Sequence, residues 1–332
     1  MAATIVDLAT TSKDALQAGV AEMLLMYSDP LKWLNYETIG DLRVAMSRIA
    51  VLPTVGYRAI NGTYTESTGR FEQLEEDLSI IGGDIDIDLQ LEGNKSQLVP
   101  MESVMTQAKM KALAYKVNND LINGDRASDV LAVDGIKIRV GNLPARQTIQ
   151  ATGAATDLAV FASNATLNTF ADAIDQAIAT IDNGEVSYMI CDEVTARGIF
   201  SAYRRLNLGV EDIKPYMSAG KEANGGTPSL KIGGKGSIPI LVTGFTDESQ
   251  STRVMPSTET LGDGSADTAS IYFCRVGKEY FTGLQKHALR TDKFPHLETN
   301  PAKRVRIEWP MGYSNWNDRA LCRLTGLRFA AS

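Results

Sequence analysis

The sequence predicts an α+β fold, with helices and strands gathered in blocks and no regular βαβ alternation. Helical apolar periodicity is confined mainly to two stretches, Pro100–Asn123 and Thr166–Asn207. A hairpin turn signal and a two-residue alternation that returns at Ile85–Leu91 mark residues 51–93, and short β-rich runs fill much of the chain beyond Ile238.

Ser12 stands as an N-cap before an amphipathic segment carrying Leu16, Val20, Met23 and Leu24, which ends near Asp29-Pro30. From Val51 to Gly93 the chain changes character. Asn61-Gly62 lies between Tyr57-Arg58-Ala59-Ile60 and Thr63-Tyr64-Thr65, a type I′ hairpin signal. Alternation then sets Ile85, Ile87, Leu89 and Leu91 on one face of a strand, with Asp84, Asp86, Asp88 and Gln90 on the other. We expect a long projecting ribbon over 51–95. Because an isolated two-stranded ribbon is marginal in water, its apolar face is expected against a neighbour.

Pro100 opens a helix of roughly 33 Å at 1.5 Å per residue. Its apolar stripe is read as Met101, Val104, Met105, Ala108, Ala112 and Tyr115, and Asn123-Gly124 closes it. Val133 to Val140 reads as a turn and a short strand, followed by a small-residue linker to about Ser163. Leu167, Phe170, Ala171, Ile174, Ile178 and Ile181 then recur at helical spacing before Asn183-Gly184. A strand over Val186–Ile190 follows, and Asp192 caps a helix with Val194, Phe200 and Tyr203. A Gly-rich loop over 218–236 precedes a strand from Ile238 to Phe245, and further strands are expected around 270–273, 279–281, 304–309 and 320–324.

Of 332 residues 44% are hydrophobic, enough to bury more than one core. The longest apolar runs fall far short of the roughly 20 residues of a membrane-spanning helix, and the N-terminus shows no secretory signal. Cys191, Cys274 and Cys322 form no C-x-x-C pair and read as ordinary thiols. The net charge of −7 argues against specific binding of free duplex DNA. That charge is segregated, with nine acidic residues against one basic between Glu66 and Glu92, and nine basic against four acidic between Lys286 and Arg328. Such polarity suits contact between copies of one chain.

Asp84, Asp86 and Asp88 imitate the start of a calcium loop, yet the positions that should hold Gly and Glu hold Leu89 and Lys95. A remoter alternative is a metal-dependent phosphoryl-transfer enzyme using these three aspartates. An acidic face turned to solvent or a partner is the preferred reading. Lys231 to Ser237 lacks the spacing of a phosphate loop, and His287 and His296 have no metalloprotease pattern around them. Lys109, Lys111 and Lys116 read as a solvated helical face or subunit contact, and Trp309 to Trp316 as interface or core. No cofactor and no catalytic residue is assigned.

In this order, an extended N-terminal part, an acidic hairpin at Val51–Gly93, a long helix at Pro100–Asn123, a helix-strand-helix unit at Thr166–Asn207 and returning basic strands at Lys303–Trp309 resemble tailed-phage major capsid proteins of the HK97-like fold. The resemblance implies an N-terminal arm over 1–50 and a β-hairpin E-loop over 51–95. It implies a P-domain with its spine helix over 96–140 and 265–312, and a compact A-domain over 141–264 and 313–332. It implies hexamers and pentamers of this chain in an icosahedral shell around packaged double-stranded DNA, made in a host cytoplasm and located in the virion. Expected partners are a scaffolding protein, either separate or already cut away, a portal, a decoration protein and non-specific contact with the DNA, with no membrane. An encapsulin-like nanocompartment shell is the alternative within the same architecture. Subunit contact is expected through Ile85, Ile87, Leu89, Leu91, Asp84, Asp86, Asp88, Arg58 and Arg70. Some members weld their shells through an E-loop lysine, but none occurs between Gly56 and Gly93, so no isopeptide link is expected from that loop.

Overall fold

A computed structural model of the chain describes residues 31, 33–89, 101–153, 157–206, 213–214, 229–231, 237–260, 267–298 and 301–329. The expected helix after Ser12, most of the Gly-rich loop, Gln90, Leu91 and Lys95 lie outside them. The elements are β1 (Tyr36–Thr38), β2 (Arg43–Val51), β3 (Arg70–Asp77), β4 (Ser79–Asp88), α1 (Met101–Asn123), α2 (Ile136–Gly141), β5 (Thr148–Gln150), β6 (Leu158–Ala159), α3 (Asn164–Thr180), β7 (Tyr188–Asp192), α4 (Glu193–Arg205), β8 (Ile213–Lys214), β9 (Ser229–Lys231), β10 (Ser237–Thr243), β11 (Ala269–Cys274), β12 (Phe281–Gln285), β13 (Arg290–Phe294), β14 (Ala302–Asn315) and β15 (Leu321–Arg328).

They form two main sheets and a separate hairpin. The first sheet runs β1-β12-β14-β4, with β13 continuing β12 along the same edge of β14. The second runs β5-β15-β11-β7-β10-β9-β8. The hairpin is β2 with β3, antiparallel from Arg43↔Asp77 to Val51↔Arg70.

Each main sheet buries an apolar face against helices. α1 covers the first, where Met110, Leu113, Ala114, Val117 and Leu121 join Ile85, Ile87, Val305, Ile307 and Trp309. α3 and α4 serve the second, where Leu167, Phe170, Ile174, Ile199 and Phe200 meet Met189, Phe273 and Leu324. The periodic apolar residues expected in α3 are buried or half-buried, and the Ser163 side chain caps it by accepting from Thr166 N. Asp192 caps α4, as expected, by accepting from Val194 N. Cys191, Cys274 and Cys322 are buried free thiols.

Four local expectations change. The segment 136–140 is a helix, not a strand, because Ile136 and Val140 are one turn apart and both bury into the first core. On α1 the buried stripe is Thr106, Met110, Leu113, Ala114, Val117 and Leu121, whereas Val104, Met105, Ala108 and Ala112 face outward. The helix carries two apolar stripes, and packing selects the one with the larger aliphatic side chains. β11 belongs to the second sheet, so the chain returns to the first only at β12. The hairpin ladder lies at 43–51 and 70–77 instead of running over 51–95.

Candidate subunit-contact surface

The Asp84-Ile85-Asp86-Ile87-Asp88 strand is not half of the hairpin. It is β4, paired with β14 in an unbroken antiparallel register from Ser79↔Met311 to Asp88↔Ala302. The alternation is as expected, but its apolar face is covered by this chain's own α1. Ile85 is 7% and Ile87 5% exposed, and Leu89 is half-buried. A neighbouring subunit therefore finds Ile85 and Ile87 already buried.

The acidic face is likewise engaged inside the chain. Arg306 donates through Nε and Nη2 to both Asp84 oxygens at 2.8 and 2.9 Å. Arg304 does the same to Asp86 at 2.6 and 2.7 Å. These forked, charge-assisted bonds hold the Asp84 and Asp86 carboxyls below the usual range, with Arg306 and Arg304 the first causes. Guanidinium groups thus occupy the oxygens a cation would need. Among the described residues no cluster of three or more His, Cys, Asp or Glu is placed to hold a metal.

The two glycines before these aspartates permit close packing. A Cβ at Gly82 would overlap the Ile307 carbonyl oxygen, and one at Gly83 would overlap the end of Lys109, which crosses there from α1. Lys111 and Lys116 are also engaged, with Glu248 and Asp120. Trp309 and Tyr313 are core residues, and the Trp309 ring lies 4.9 Å from that of Tyr36.

Among the described residues, the surface that lacks cover is the β2–β3 hairpin and its tip. Only the root is held. Val44 and Leu74 pack on Leu78, Leu284 and Trp316. Arg139, from α2, forks onto Glu76 at 2.5 and 2.9 Å and donates to the Tyr313 carbonyl at 2.7 Å. Asp77 accepts from Arg43 at 2.6 Å and pairs with Arg126 at 3.3 Å. Arg43 first, by its hydrogen bond, holds the Asp77 carboxyl low.

Among the described residues the two strands have no sheet neighbours beyond the root, and residues 52–69 form no ladder. Thr54 N donates to Ser67 Oγ at 2.7 Å, and Gly62 N to the Ala59 carbonyl at 3.0 Å. That turn puts Asn61, with φ of 64°, at its third position, one residue earlier than the expected type I′ turn. Arg58 donates to the Gly62 carbonyl and lies over the Tyr64 ring, while Arg70 is exposed at the start of β3.

Around this tip Leu52, Val55, Tyr57, Ile60, Tyr64 and Phe71 are exposed, Val55 and Ile60 at 92% and 95%. Single exposed apolar residues need no explanation, but here six large ones stand in solvent on one projection. Sequence reasoning missed them. Their only signal is large apolar residues in a stretch without helical or strand periodicity.

The two sheets, the long helix and the projecting hairpin make up the HK97-like fold. The sequence matches no protein-family model and no curated protein. Solved structures do match over most of the chain. The capsid of a native GTA particle is 16% identical with a TM-score of 0.59, over 89% of each chain. A structure from Mycobacterium phage Bobi is 9% identical at TM-score 0.59, over 99% of each. The holo-SrpI encapsulin complex from Synechococcus elongatus PCC 7942 is 10% identical at TM-score 0.57, over 91% of this chain and 88% of that one.

Proposed function

We propose that this chain is the structural subunit of a phage capsid, assembling as hexamers and pentamers into an icosahedral shell in the virion around packaged double-stranded DNA. One observation carries the reading: on a fold shared with capsid shells, a hairpin supported only at its root holds six large apolar side chains in solvent. Burying each of these is worth about 1.5–3 kcal/mol, so a second copy of the chain that covers them turns a marginal ribbon into a strong clasp. Asp84, Asp86, Ile85 and Ile87 act in this reading as the frame that holds the first sheet, and the contact role passes to the hairpin tip with Arg58 and Arg70. A scaffolding protein, a portal and a decoration protein complete the proposed partners. No catalytic role is proposed.

Electron micrographs of the purified protein test this directly. Closed shells of uniform size are expected, and chains that stay monomeric at high concentration would overturn the reading. Replacing Leu52, Val55, Tyr57 and Ile60 together by Ser should abolish shells while leaving the unfolding midpoint of the unassembled chain nearly unchanged, within about 0.5 kcal/mol per site. The likeness to the encapsulin complex supports a second reading, a shell holding protein cargo. Particles that carry long double-stranded DNA favour the capsid, and particles with only protein inside favour the compartment.

A further inference from the structure

The two main sheets share one continuous ribbon. β11 pairs with β15 in the second sheet, and β12 pairs with β14 in the first. The chain therefore passes between sheets twice side by side, through 275–280 and back through 316–320. The two crossovers bond to each other at both ends, Arg275 N to the Ala320 carbonyl at 2.8 Å and Trp316 N to the Tyr280 carbonyl at 3.1 Å. The bend of this two-stranded ribbon therefore helps set the angle between the sheets, beside the apolar cluster that both share.

A third segment holds that bend. Asp182, in the turn between α3 and β7, accepts from Tyr280 Oη at 2.9 Å and Arg275 Nη1 at 3.2 Å on one oxygen. Its other oxygen pairs with Arg319 Nη1 at 3.2 Å. Its backbone carbonyl accepts from Arg275 Nη1 at 2.8 Å. Arg275 also pairs with Glu185 at 2.5 Å and stacks on the Tyr280 ring, 3.9 Å from its centre. One carboxylate of the second sheet's helical layer therefore grips both crossovers. Two open clefts of about 680 and 440 Å³ border the bend, lined by Asn183, Glu185, Val186 and Arg319 on one side and by Ser187, Arg275 and Tyr280 on the other. Beside these polar contacts, Ile190, Leu241 and Cys274 of the second sheet share one buried cluster with Phe281 and Ile136 across the bend.

We infer that Asp182 is a positioning residue that fixes the angle between the two sheets, and with it the curvature a subunit imposes on its shell. Removing its charge leaves two guanidinium groups and a phenol competing for one neutral oxygen, and frees the ribbon to flex as a hinge. The consequence for shell curvature rests on the proposed function; the lock itself does not.

Two spin labels read the angle directly, one at Asp172→Cys on α3 and one at Ala112→Cys on α1, both exposed. The native cysteines Cys191, Cys274 and Cys322 are buried and escape labelling. With labelled chain diluted in unlabelled chain, the parent should give one narrow distance, and Asp182→Asn a distribution about twofold broader or a second population. Arg319→Gln, which removes only the half-exposed arm, should broaden it less. An unchanged narrow distance in Asp182→Asn overturns the lock. Should that variant fail to fold by circular dichroism, Arg319→Gln decides, broadening supporting the lock and an unchanged width overturning it. Micrographs give the separate second reading, in which Asp182→Asn shells should spread in diameter where parent shells are uniform. A parent that forms no shell defeats the capsid reading while the label distances still judge the lock.

Discussion

Two acidic ribbons of similar length stand side by side in this chain, and they have opposite fates. β4 follows β3 after a single residue; β4 alternates apolar with charged side chains from Asp84 to Asp88, whereas β3 sets only Phe71 and Leu74 among its charged residues. β4 has a sheet partner, β14, along one edge and a helix over its apolar face, and its aspartates meet arginines more than 200 residues away in sequence. β3 has one partner, β2, and no cover beyond the root. The difference teaches that alternation specifies a two-faced strand but not the owner of the second surface. In β4 that owner is the same chain; in the hairpin we propose that it is another copy.

The sharpest way to break this comparison is to truncate the covered side. Ile87→Ala should destabilise the unassembled chain by about 2–5 kcal/mol, the cost of a cavity in a closed core. Urea unfolding followed by circular dichroism measures it. A loss below about 0.5 kcal/mol, the level expected at the exposed hairpin tip, would place β4 among the uncovered strands and overturn the distinction.

Next in size is the forked clamp from α2 that ties the hairpin root to the body. Arg139→Gln breaks the fork to Glu76 and the bond to the Tyr313 carbonyl, and should cost about 2–3 kcal/mol. Paired with Glu76→Gln in a double-mutant cycle, it should show coupling of about 1 kcal/mol or more. Coupling near zero would mean that the hairpin root is held by the Val44 and Leu74 packing and the Arg126–Asp77 pair instead.

The smallest effect lies on the acidic face of β4. Asp84 and Asp86 have folded pKa values below the unfolded value of about 3.9. Their contribution is therefore complete above that pH and is lost as pH falls through the folded values. Asp84→Asn with Asp86→Asn should leave less difference between the urea midpoints measured at neutral and at acid pH. Both carboxylates are partly exposed, so high salt should reproduce part of the effect. An acid response that the double variant leaves untouched would assign it to other carboxylates.

Much of the local structure was legible. The periodicity of Leu167, Phe170 and Ile174 gave α3 and its inward face, Asp192 gave the cap of α4, and Ile85 and Ile87 gave the inward face of β4. The charge segregation was legible too, but its meaning was not: the acidic 84–86 stretch and the basic 304–306 stretch neutralise each other as neighbouring antiparallel strands within one chain, instead of between copies. The hairpin tip was hidden because exposed apolar residues carry no period when no face of their own chain is built to receive them.

Sequence alone determined the helices α1, α3 and α4 and which side chains of β4 share a face, because these follow from backbone geometry over three or four residues. Only the tertiary structure decided which of the two stripes of α1 turns inward and that β4 pairs with a strand more than 200 residues away. It alone also brought Arg275, Tyr280 and Arg319 to the one carboxylate of Asp182. Those choices rest on contacts between distant segments, where packed volume and charge pairing across the whole chain select among faces that are locally equivalent.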